Sequence, residues 1–404
     1  MNVSARRPYP VPPGTGAART ELDVLAVIDH LSLGGAEMLL GQFAASAPRA
    51  GIRLSVAYLE ESDGSPAAEP LRKAGIEPIN LNLRGRLRVS HLRGMRRHMR
   101  ATRPDIVHTH MGSSDLLGGL AARSLRIPTV STIHSVKQRS VGVAVAKETM
   151  FTLGRRCCSS RVIVVSDCAR RAYLEHSPEL DKRVVRIYNG IDLAAAPGGG
   201  AAVRRELGIG ADDLLVGMIS ALRPEKGHDL AIETIATLRR RFPRLRLLIV
   251  GRGAHAGDVA RLAAPLGDGV VLAGLRTDVA AVLDALDVCL HPSRLDAFPT
   301  TLIEALAASV PVLATAVGGI PEIIDDGVTG VLVPSPPCVD DLADALGALL
   351  ADEPRRRALA IAGRRAYVRR FRAGPWIERT RALYDAVLQE TSAQRNGAGM
   401  RRPK

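Results

Sequence analysis

Short apolar runs rich in β-branched residues recur along the chain with helical segments between them, which predicts an α/β protein. In the first half these runs lie at 23–29, 54–59, 105–108, 129–134, 162–165 and 184–188. In the second half they lie at 214–219, 245–250, 270–272, 288–291, 312–314 and 330–333. Several runs are continuously apolar, which is typical of parallel strands buried on both faces. Because twelve strands are too many for one sheet, the pattern predicts two doubly wound parallel sheets in two Rossmann-like domains.

The domain boundary is predicted from a change in composition near the middle of the chain. Residues 194–202 consist of alanine, glycine and proline and offer no core side chains, which is typical of a linker. A length of 404 residues allows each half to bury its own core. The expected divisions are a disordered tail (1–20), an N-terminal Rossmann-like domain (21–195), a linker (196–206), a C-terminal Rossmann-like domain (207–372) and a second disordered tail (391–404).

The sequence predicts a cytoplasmic protein. No apolar stretch is long enough to cross a membrane, and the first twenty residues lack the apolar segment of a secretory signal. The five cysteines include no Cys-x-x-Cys pair, so we expect reduced thiols and no structural zinc site.

Positive charge is concentrated in the first half of the chain. The formal net charge is +14, and residues 1–200 hold 28 basic against 17 acidic side chains, while the rest hold 27 against 24. A basic chain can bind nucleic acid, but only 3% of the residues are aromatic and no zinc-finger, helix-turn-helix or basic-zipper pattern occurs. We therefore expect no nucleic acid, but an anionic small molecule and an anionic membrane surface.

A run of eight arginines between positions 84 and 103 carries much of this charge, and no acid occurs from 78 to 104. Leu92, Met95 and Met99 recur at helical spacing, which predicts a helix with one apolar stripe. Four arginines fall on its other faces: Arg93, Arg96, Arg97 and Arg100. Two interpretations remain open, a solvated helix and a surface that contacts anionic lipid.

Gly34 and Gly35 follow the first predicted strand and open a helical run. Glycines at such a turn allow a phosphate to approach the helix N-terminus, where the positive end of the helix dipole favours an anion. A tight turn in which Glu37 complements the dipole explains the same residues equally well.

From residue 189 onward the chain contains a series of motifs in a fixed order. They are Asn-Gly-Ile-Asp at 189–192, Leu-Arg-Pro-Glu-Lys-Gly-His at 222–228, Val-Gly-Arg-Gly at 250–253, Gly-Leu-Arg-Thr-Asp-Val at 274–279, the segment 291–306 from His-Pro-Ser to Glu-Ala-Leu, and Val-Gly-Gly-Ile-Pro-Glu at 317–322. Over about residues 22–390 this ordered set resembles glycosyltransferase family 4, the retaining nucleotide-sugar glycosyltransferases of the GT-B fold. The resemblance implies two domains facing a cleft, an acceptor-side domain at 21–195 and a nucleotide-sugar-binding domain at 207–372, and a terminal helix, 373–390, that returns to the first domain.

The family's Glu-x7-Glu element appears here as Asp296 and Glu304, with a shorter acid at the first position. The resemblance implies that Glu304 binds the two ribose hydroxyls and that Asp296 faces hydroxyls of the transferred sugar. Thr301-x-x-Glu304 also fits a capping box, which is the structural alternative for Glu304.

The resemblance also assigns the diphosphate site. Lys226 matches the family lysine that neutralises the diphosphate, whereas the family arginine five positions earlier is Ala221 here. Arg223 either replaces that arginine or is a surface residue, and both interpretations remain open. Backbone groups would meet the sugar and diphosphate at Phe298, Pro299, Thr300 and Thr301, and the nucleobase would lie near the turn that contains Arg276.

Histidines close two strands of the first domain. His134 matches the family's active-site histidine, which implies contact with the donor sugar or diphosphate. His108 and His110 lie on one side of their strand, as metal ligands would, but no third ligand is evident. We expect these two to be structural or to line the acceptor side.

These features imply a retaining hexosyltransferase that moves a sugar from a UDP- or GDP-sugar to an acceptor hydroxyl of an envelope glycolipid or polysaccharide, peripheral on the inner membrane face. The chain has no Asp-x-Asp motif, so no metal or other cofactor is expected. The alternatives are another GT-B enzyme such as a nucleotide-sugar epimerase, or a basic membrane- or nucleic-acid-binding protein with a degenerate site, which the changes at Asp296 and Ala221 would favour.

Overall fold

A computed structural model describes residues 21–32, 34–61, 64–83, 88–135, 143–194 and 196–399. The predicted tail at 1–20 and the end of the other, 400–404, lie outside these residues. The chain divides into two compact units. Unit 1 comprises the described residues up to Gly190 and those from Ala373 onward, and unit 2 spans Ile191–Arg372.

Unit 1 is built on a seven-stranded sheet. Its strands are β1 (Leu22–Ile28), β2 (Ile52–Tyr58), β3 (Ile79–Asn80), β4 (Ile106–His110), β5 (Thr129–Ile133), β6 (Arg161–Val164) and β7 (Val184–Arg186). They lie in the order β3-β2-β1-β4-β5-β6-β7, and every neighbouring pair is parallel. The order reverses direction between β1 and β4, which is where ligands bind at the carboxyl edge of such sheets.

Helices connect these strands and cover the sheet. They are α1 (Gly35–Ser46), α2 (Ala68–Lys73), α3 (Val89–Thr102), α4 (Gly112–Ser124), α5 (Val143–Cys158) and α6 (Asp167–His176), with 3-10 helices at Ala47–Ala50 and Pro178–Arg183. Two apolar clusters show how the sheet is packed. Leu25 and Val27 of β1 pack with Met95 and Met99 of α3, while Ile28 packs with residues of α1 and α2. The continuous apolar run of β1 is therefore buried on both faces.

Unit 2 is built on a six-stranded sheet that is also entirely parallel. Its strands are β8 (Leu214–Ile219), β9 (Leu245–Val250), β10 (Val270–Gly274), β11 (Val288–His291), β12 (Val312–Thr315) and β13 (Val331–Val333). The order is β10-β9-β8-β11-β12-β13, so the direction reverses between β8 and β11. The two parallel sheets confirm the predicted fold class, and all twelve predicted strands are present.

The helices of unit 2 surround this sheet. They are α7 (Gly199–Glu206), α8 (His228–Leu238), α9 (Ala256–Ala263), α10 (Val279–Asp284), α11 (Thr300–Ala307), α12 (Val339–Ala351) and α13 (Glu353–Arg370), with 3-10 turns at Pro224–Lys226, Ala264–Gly269 and Ile320–Glu322. Leu247 and Ile249 of β9 share one buried cluster with Ile235 of α8 and Leu346 of α12.

The linker predicted at 196–206 is wrong for most of its length, because α7 occupies Gly199–Glu206. Gly200 and Val203 are buried there. The amide of Gly200 donates to Asp284 Oδ2 at 2.9 Å, and a Cβ at Gly200 would overlap the backbone of Asp284. The glycine therefore permits close packing between α7 and α10, a role that composition alone does not distinguish from flexibility.

The chain returns to unit 1 in helix α14 (Ala373–Gly399). Ile377, Tyr384 and Val387 of this helix are buried with Leu22 and Phe43 in the core of unit 1. The disordered tail predicted from 391 is also wrong as far as Gly399, because the helix continues to that residue. Adding residues to an existing helix avoids the cost of nucleation, so this alanine- and glycine-containing segment can stay helical.

None of the described helices is both long and apolar enough to cross a membrane.

Candidate active site

In unit 2, the loops after β8 and β11 bring together three predicted or neighbouring polar side chains. Lys226 ends the 3-10 turn after β8, and its Nζ lies 2.5 Å from Oδ2 of Asp296. The same carboxylate oxygen lies 3.0 Å from Nε2 of His291, the last residue of β11. These two loops flank the point where the strand order reverses, so the cluster occupies the expected ligand position of the sheet.

The charge of Asp296 is maintained by these partners. Burial acts to raise its pKa, but the hydrogen bond with His291 and the charge of Lys226 outweigh it, so the pKa lies below its ordinary value. The acid therefore stays ionised and offsets the lysine charge near neutral pH.

Arg294 fixes the two loops against each other. Its guanidinium binds both carboxylate oxygens of Asp229 at 2.8 and 2.6 Å. Its backbone amide donates to the carbonyl of Glu225 at 2.8 Å. These contacts with Glu225 and Asp229, which lie on either side of Lys226, hold the 3-10 turn beside the loop that carries Asp296.

A third loop meets the same place through Gly318. This residue has φ +59°, and a Cβ there would overlap the carbonyl oxygen of Asp296. The following amide, that of Gly319, donates to this oxygen at 3.2 Å. Glycine therefore lets the Val-Gly-Gly segment approach the backbone that carries Asp296.

Glu304 lies within α11, which begins at Thr300 with Pro299 as its N-cap residue. No side chain caps the helix, and Thr301 is already inside it, so the capping-box alternative for Glu304 is wrong. Burial raises the pKa of Glu304 to about 7. The side chain is partly exposed, and no hydrogen bond or ion pair to its carboxylate is found among the described residues, so the carboxylate is available to a ligand.

The segment before α11 supplies backbone rather than side-chain chemistry. Phe298 and Pro299 are buried, and the ring of Phe298 packs edge-to-face on Phe371 with centroids 6.0 Å apart. Thr300 and Thr301 form the first turn of α11 and are partly exposed. Their amides belong to the helix start, where N–H groups lack helical partners and can donate to an anion.

Two predicted cations do not join this cluster. Arg223 is exposed, and its nearest acid among the described residues is Glu225 at 3.9 Å. Arg276 binds Glu206 at 2.7 and 2.9 Å and Asp278 at 2.7 and 2.9 Å. Because both edges of its guanidinium are occupied, Arg276 holds the turn after β10 in place.

In unit 1, Gly34 is the N-cap residue of α1, and a Cβ there would overlap the side chain of Glu37. Glu37 turns back toward the helix start, where Oε1 accepts from Ser32 at 3.0 Å and lies 3.1 Å from Nδ1 of His30. The hydrogen bond to Glu37 is the main cause that raises the pKa of His30. The carboxylate of Glu37 thus lies against the turn at Gly34 and Gly35.

The predicted histidines of unit 1 form one column at the carboxyl ends of β4 and β5. The rings of His108 and His110 lie with centroids 4.1 Å apart and are tilted by 34°, and those of His110 and His134 stack with centroids 5.3 Å apart. Nδ1 of His110 lies 3.0 Å from Nε2 of His134. His108 is held by Tyr384 at 2.6 Å and by Thr132 at 2.7 Å.

Burial keeps this column neutral. It lowers the pKa of His108 to about 3 and that of His134 to about 4, and it lowers the pKa of His110 well below its ordinary value. The described residues contain no group of three or more His, Cys, Asp or Glu side chains arranged to hold a metal ion.

The basic helix predicted from the arginine run is α3. Met95 and Met99 are fully buried and Leu92 is partly buried, which confirms the apolar stripe. Arg93, Arg97 and Arg100 are exposed, and Arg96 is partly buried. None of these four forms an ion pair with a described residue. Arg84 and Arg86, from the same run, lie outside the described residues.

Two contributors were not singled out by the sequence. His291 and Arg294 lie in the segment 291–306, but only the distances to Asp296 and Asp229 show what they do. Two features of the sequence could have indicated the contact between His110 and His134. One is the His-x-His spacing at the end of a strand, and the other is the histidine after the next strand, since neighbouring parallel strands end at the same edge of a sheet.

Two parallel Rossmann-like sheets, with a cation and carboxylates at the strand ends of the second, define the GT-B class of glycosyltransferases. Profiles described as Glycosyltransferase Family 4 and Glycosyl transferases group 1 match residues 33–195 and 201–366. The chain belongs to this glycosyltransferase family. The membership favours sugar transfer over the epimerase and nucleic-acid alternatives.

Named relatives agree with this assignment. The chain is 30% identical over 319 residues to the D-inositol 3-phosphate glycosyltransferase of Saccharomonospora viridis, covering 73% of this chain and 72% of the relative. It is 31% identical over 316 residues to the enzyme of that name from Mycolicibacterium paratuberculosis, covering 73% and 70%. The crystal structure of Anabaena HepE in complex with UDP-glucose shares the fold, with a TM-score of 0.78, 21% identity and coverage of 90% of this chain and 98% of HepE.

Proposed function

We propose that this glycosyltransferase moves a hexose from a nucleoside-diphosphate sugar to an acceptor hydroxyl with retention of the anomeric configuration and without a metal. The observation that carries the proposal is the carboxylate of Glu304. It is partly buried, lacks a partner among the described residues, and follows the Lys226–Asp296 pair at the reversal point of the sheet. A partly buried carboxylate without protein donors fits a ligand with two adjacent hydroxyls, such as a ribose.

The proposed reaction breaks the bond between the anomeric carbon and the diphosphate oxygen while the acceptor oxygen attacks from the same face. The acceptor hydroxyl gives its proton to the departing phosphate. Negative charge develops on the diphosphate, where Lys226 and the amides at Thr300 and Thr301 would stabilise it. Arg223 has an unobstructed guanidinium and is proposed as a further phosphate contact.

The remaining site residues take complementary roles in this proposal. Glu304 accepts from the ribose hydroxyls, and the backbone near Phe298, Pro299 and Arg276 borders the sugar and the base. Gly34 and Gly35 border the donor in unit 1, and His134 donates to the sugar or diphosphate. Asp296 positions Lys226 with one oxygen and retains the other for a sugar hydroxyl.

We propose a UDP-sugar as the donor ahead of a GDP-sugar, because HepE, which shares the fold, binds UDP-glucose. The proposed acceptor is anionic. The relatives' name points to an inositol phosphate, whereas the arginines of α3, which form no ion pair with a described residue, favour a glycolipid in an anionic membrane.

Attachment to the inner membrane face would involve Arg93, Arg96, Arg97 and Arg100. Val89, at the start of the same helix, is 67% exposed, so an apolar side chain accompanies the charges. Arginine near an anionic surface contributes about 1 kcal/mol each, which gives reversible, salt-dependent binding.

The test begins with thermal shifts in UDP, GDP and ADP, since a ligand that binds only the folded state raises the melting temperature. Release of the free nucleoside diphosphate is then measured with UDP-glucose, UDP-N-acetylglucosamine and GDP-mannose, with inositol 3-phosphate or anionic glycolipid as acceptor. EDTA should leave the rate unchanged, and NMR of the product should show the donor's anomeric configuration. Failure of every donor to release nucleotide, or an inverted product, would refute the proposal.

A further inference from the structure

The histidine column in unit 1 contains one residue whose position no ordinary core role explains. His110 is buried and packs against His108, but its Nδ1 is directed at Nε2 of His134, 3.0 Å away. His134 is partly exposed at the end of β5, at the outer end of the column. At the inner end, Tyr384 of α14 and Thr132 of β5 bind both nitrogens of His108.

Counting the protons limits what the column can do. Burial keeps the three imidazoles neutral, so each carries one N–H and one lone pair. One proton must lie between His110 and His134. The two outer nitrogens, Nε2 of His110 and Nδ1 of His134, are buried and find no partner among the described residues.

Only two arrangements satisfy this count. If His134 donates from Nε2, then His110 carries its proton on Nε2, which leaves an unpaired N–H in the interior. If His110 donates from Nδ1, the interior nitrogen is only an unpaired acceptor, and the free N–H is Nδ1 of His134. Each arrangement leaves one N–H without a partner among the described residues. The second is favoured because it places that N–H on His134, whose ring is partly exposed at the end of β5, and leaves only an acceptor on the buried His110.

We propose that His110 is a positioning residue that holds His134 with its proton on Nδ1, so that this N–H donates to an oxygen of the nucleotide sugar. The proposal rests on the proposed contact between His134 and the donor. In unit 1 the charge of Glu37 acts on His134, and His30 pairs with Glu37. Both remain in place when His110 is changed.

Two substitutions separate positioning from packing. Phenylalanine keeps an aromatic ring packed against His108 but has no N–H group to donate to His134. Asparagine loses the ring, yet its amide reaches the position of Nδ1 and can donate there. If His110 only packs against its neighbours, His110→Phe should leave the activity almost unchanged and His110→Asn should lower it. The proposal predicts the reverse order of activity.

The experiment measures kcat and KM with the nucleotide sugar that releases its diphosphate fastest, for His110→Phe and His110→Asn, alone and combined with His134→Ala. We expect His110→Phe to lower kcat/KM for the donor at least tenfold, and His110→Asn to lose less than threefold. In the His134→Ala background His110→Phe should have no further effect, because it acts through the missing ring. Melting temperatures report whether each variant folds, and if His110→Phe does not fold, His110→Ala replaces it as the variant without a donor.

The outcomes distinguish this inference from the proposed function. If His134→Ala retains full activity, the contact between His134 and the donor is wrong, and this inference fails with it. If His134→Ala loses activity but His110→Phe does not, or if the two losses multiply in the double variant, His110 is not a positioning residue and the proposed function stands.

Discussion

Nζ of Lys226 lies 2.5 Å from Oδ2 of Asp296, so the shortened first acid of the Glu-x7-Glu element holds the lysine that follows β8. His291 binds the same oxygen at 3.0 Å. In this chain the acid and the cation of the proposed donor site therefore form one unit, and changes to either residue should affect the other.

Replacement of Lys226 by alanine should lower turnover at saturating donor at least tenfold, because a positive charge on the leaving diphosphate is lost. This corresponds to about 1.4 kcal/mol or more of transition-state stabilisation. Lys182→Ala, at an exposed lysine of unit 1, is the matched control and should leave the rate unchanged. Unchanged turnover in Lys226→Ala would remove this lysine from the reaction.

Asp296→Asn should tighten the binding of UDP at least threefold and lower turnover. The substitution removes a negative charge that competes with the diphosphate for Lys226, but it also releases the lysine from its fixed position. Isothermal titration calorimetry gives the affinity, and nucleotide release gives the rate. Weaker UDP binding would show that orientation of Lys226 matters more than its free charge.

Glu304→Gln should leave the melting temperature within the range expected for a loss of about 1 kcal/mol or less, because the residue caps no helix. Donor KM should rise more than tenfold, since the ionised acceptor for two hydroxyls is lost. A lower melting temperature with unchanged KM would make Glu304 structural.

The same residue predicts a pH dependence of donor binding. The pKa of Glu304 is raised to about 7, so the carboxylate of the free enzyme is protonated as the pH falls through 7. Donor affinity should therefore weaken below pH 7 and reach a plateau above pH 8. Glu304→Gln should lack this inflection, and an identical profile in both proteins would contradict the assignment.

Acid should destabilise the protein between pH 6.5 and 4 because of buried histidines. Burial lowers the pKa of His108 to about 3 and the pKa values of His134 and His228 to about 4. In this range the unfolded chain binds protons that the folded chain does not, so stability falls as the pH falls. Glu304 has the opposite effect on stability between about pH 7 and 4.5, because in this range the folded state binds a proton at Glu304 that the unfolded chain does not.

Melting temperatures measured from pH 8 to 4.5 test whether stability falls as the pH falls. His228→Gln should reduce the acid-induced decrease, since it removes one of the titrating groups. A melting temperature that stays constant down to pH 5 would contradict the neutral, buried state of these rings.

Replacement of Arg93, Arg96, Arg97 and Arg100 by glutamine should abolish co-sedimentation with anionic liposomes at low salt, while UDP binding is spared. Neutral liposomes should not bind either protein. The matched control replaces four exposed arginines of α13, Arg355, Arg357, Arg365 and Arg369, which changes the net charge by the same amount. Equal loss of binding in both variants would indicate an effect of total charge rather than a docking helix.

The sequence predicted the sheets well because buried parallel strands have an unmistakable pattern. Leu214–Ile219 and Leu245–Val250 agree with the prediction to the residue. Ile79–Asn80 was missed because it is two residues long and exposed, so no apolar run marks it. Composition misled at Gly200, since a glycine that permits close packing and one that provides flexibility are identical in the sequence.

The motifs indicated which residues to examine as a candidate site, but not how their side chains pair. Motif order led to Lys226, Asp296 and Glu304, yet only three-dimensional geometry shows that Asp296 shares one oxygen between Lys226 and His291. The bond between His110 and His134 likewise depends on two strands that meet in the fold, and their register is not fixed by either motif alone.

Unit 1 is assembled from two separated stretches of chain, because α14 returns to it only after unit 2 is complete. During synthesis the ribosome must produce all of unit 2 before Tyr384 and Val387 can enter the core of unit 1. At typical elongation rates this delay is on the order of 10 s or more. For that time the growing chain lacks the helix that completes the core around Leu22 and Phe43, and unit 2, whose sequence is continuous, can be the first part to reach its final structure.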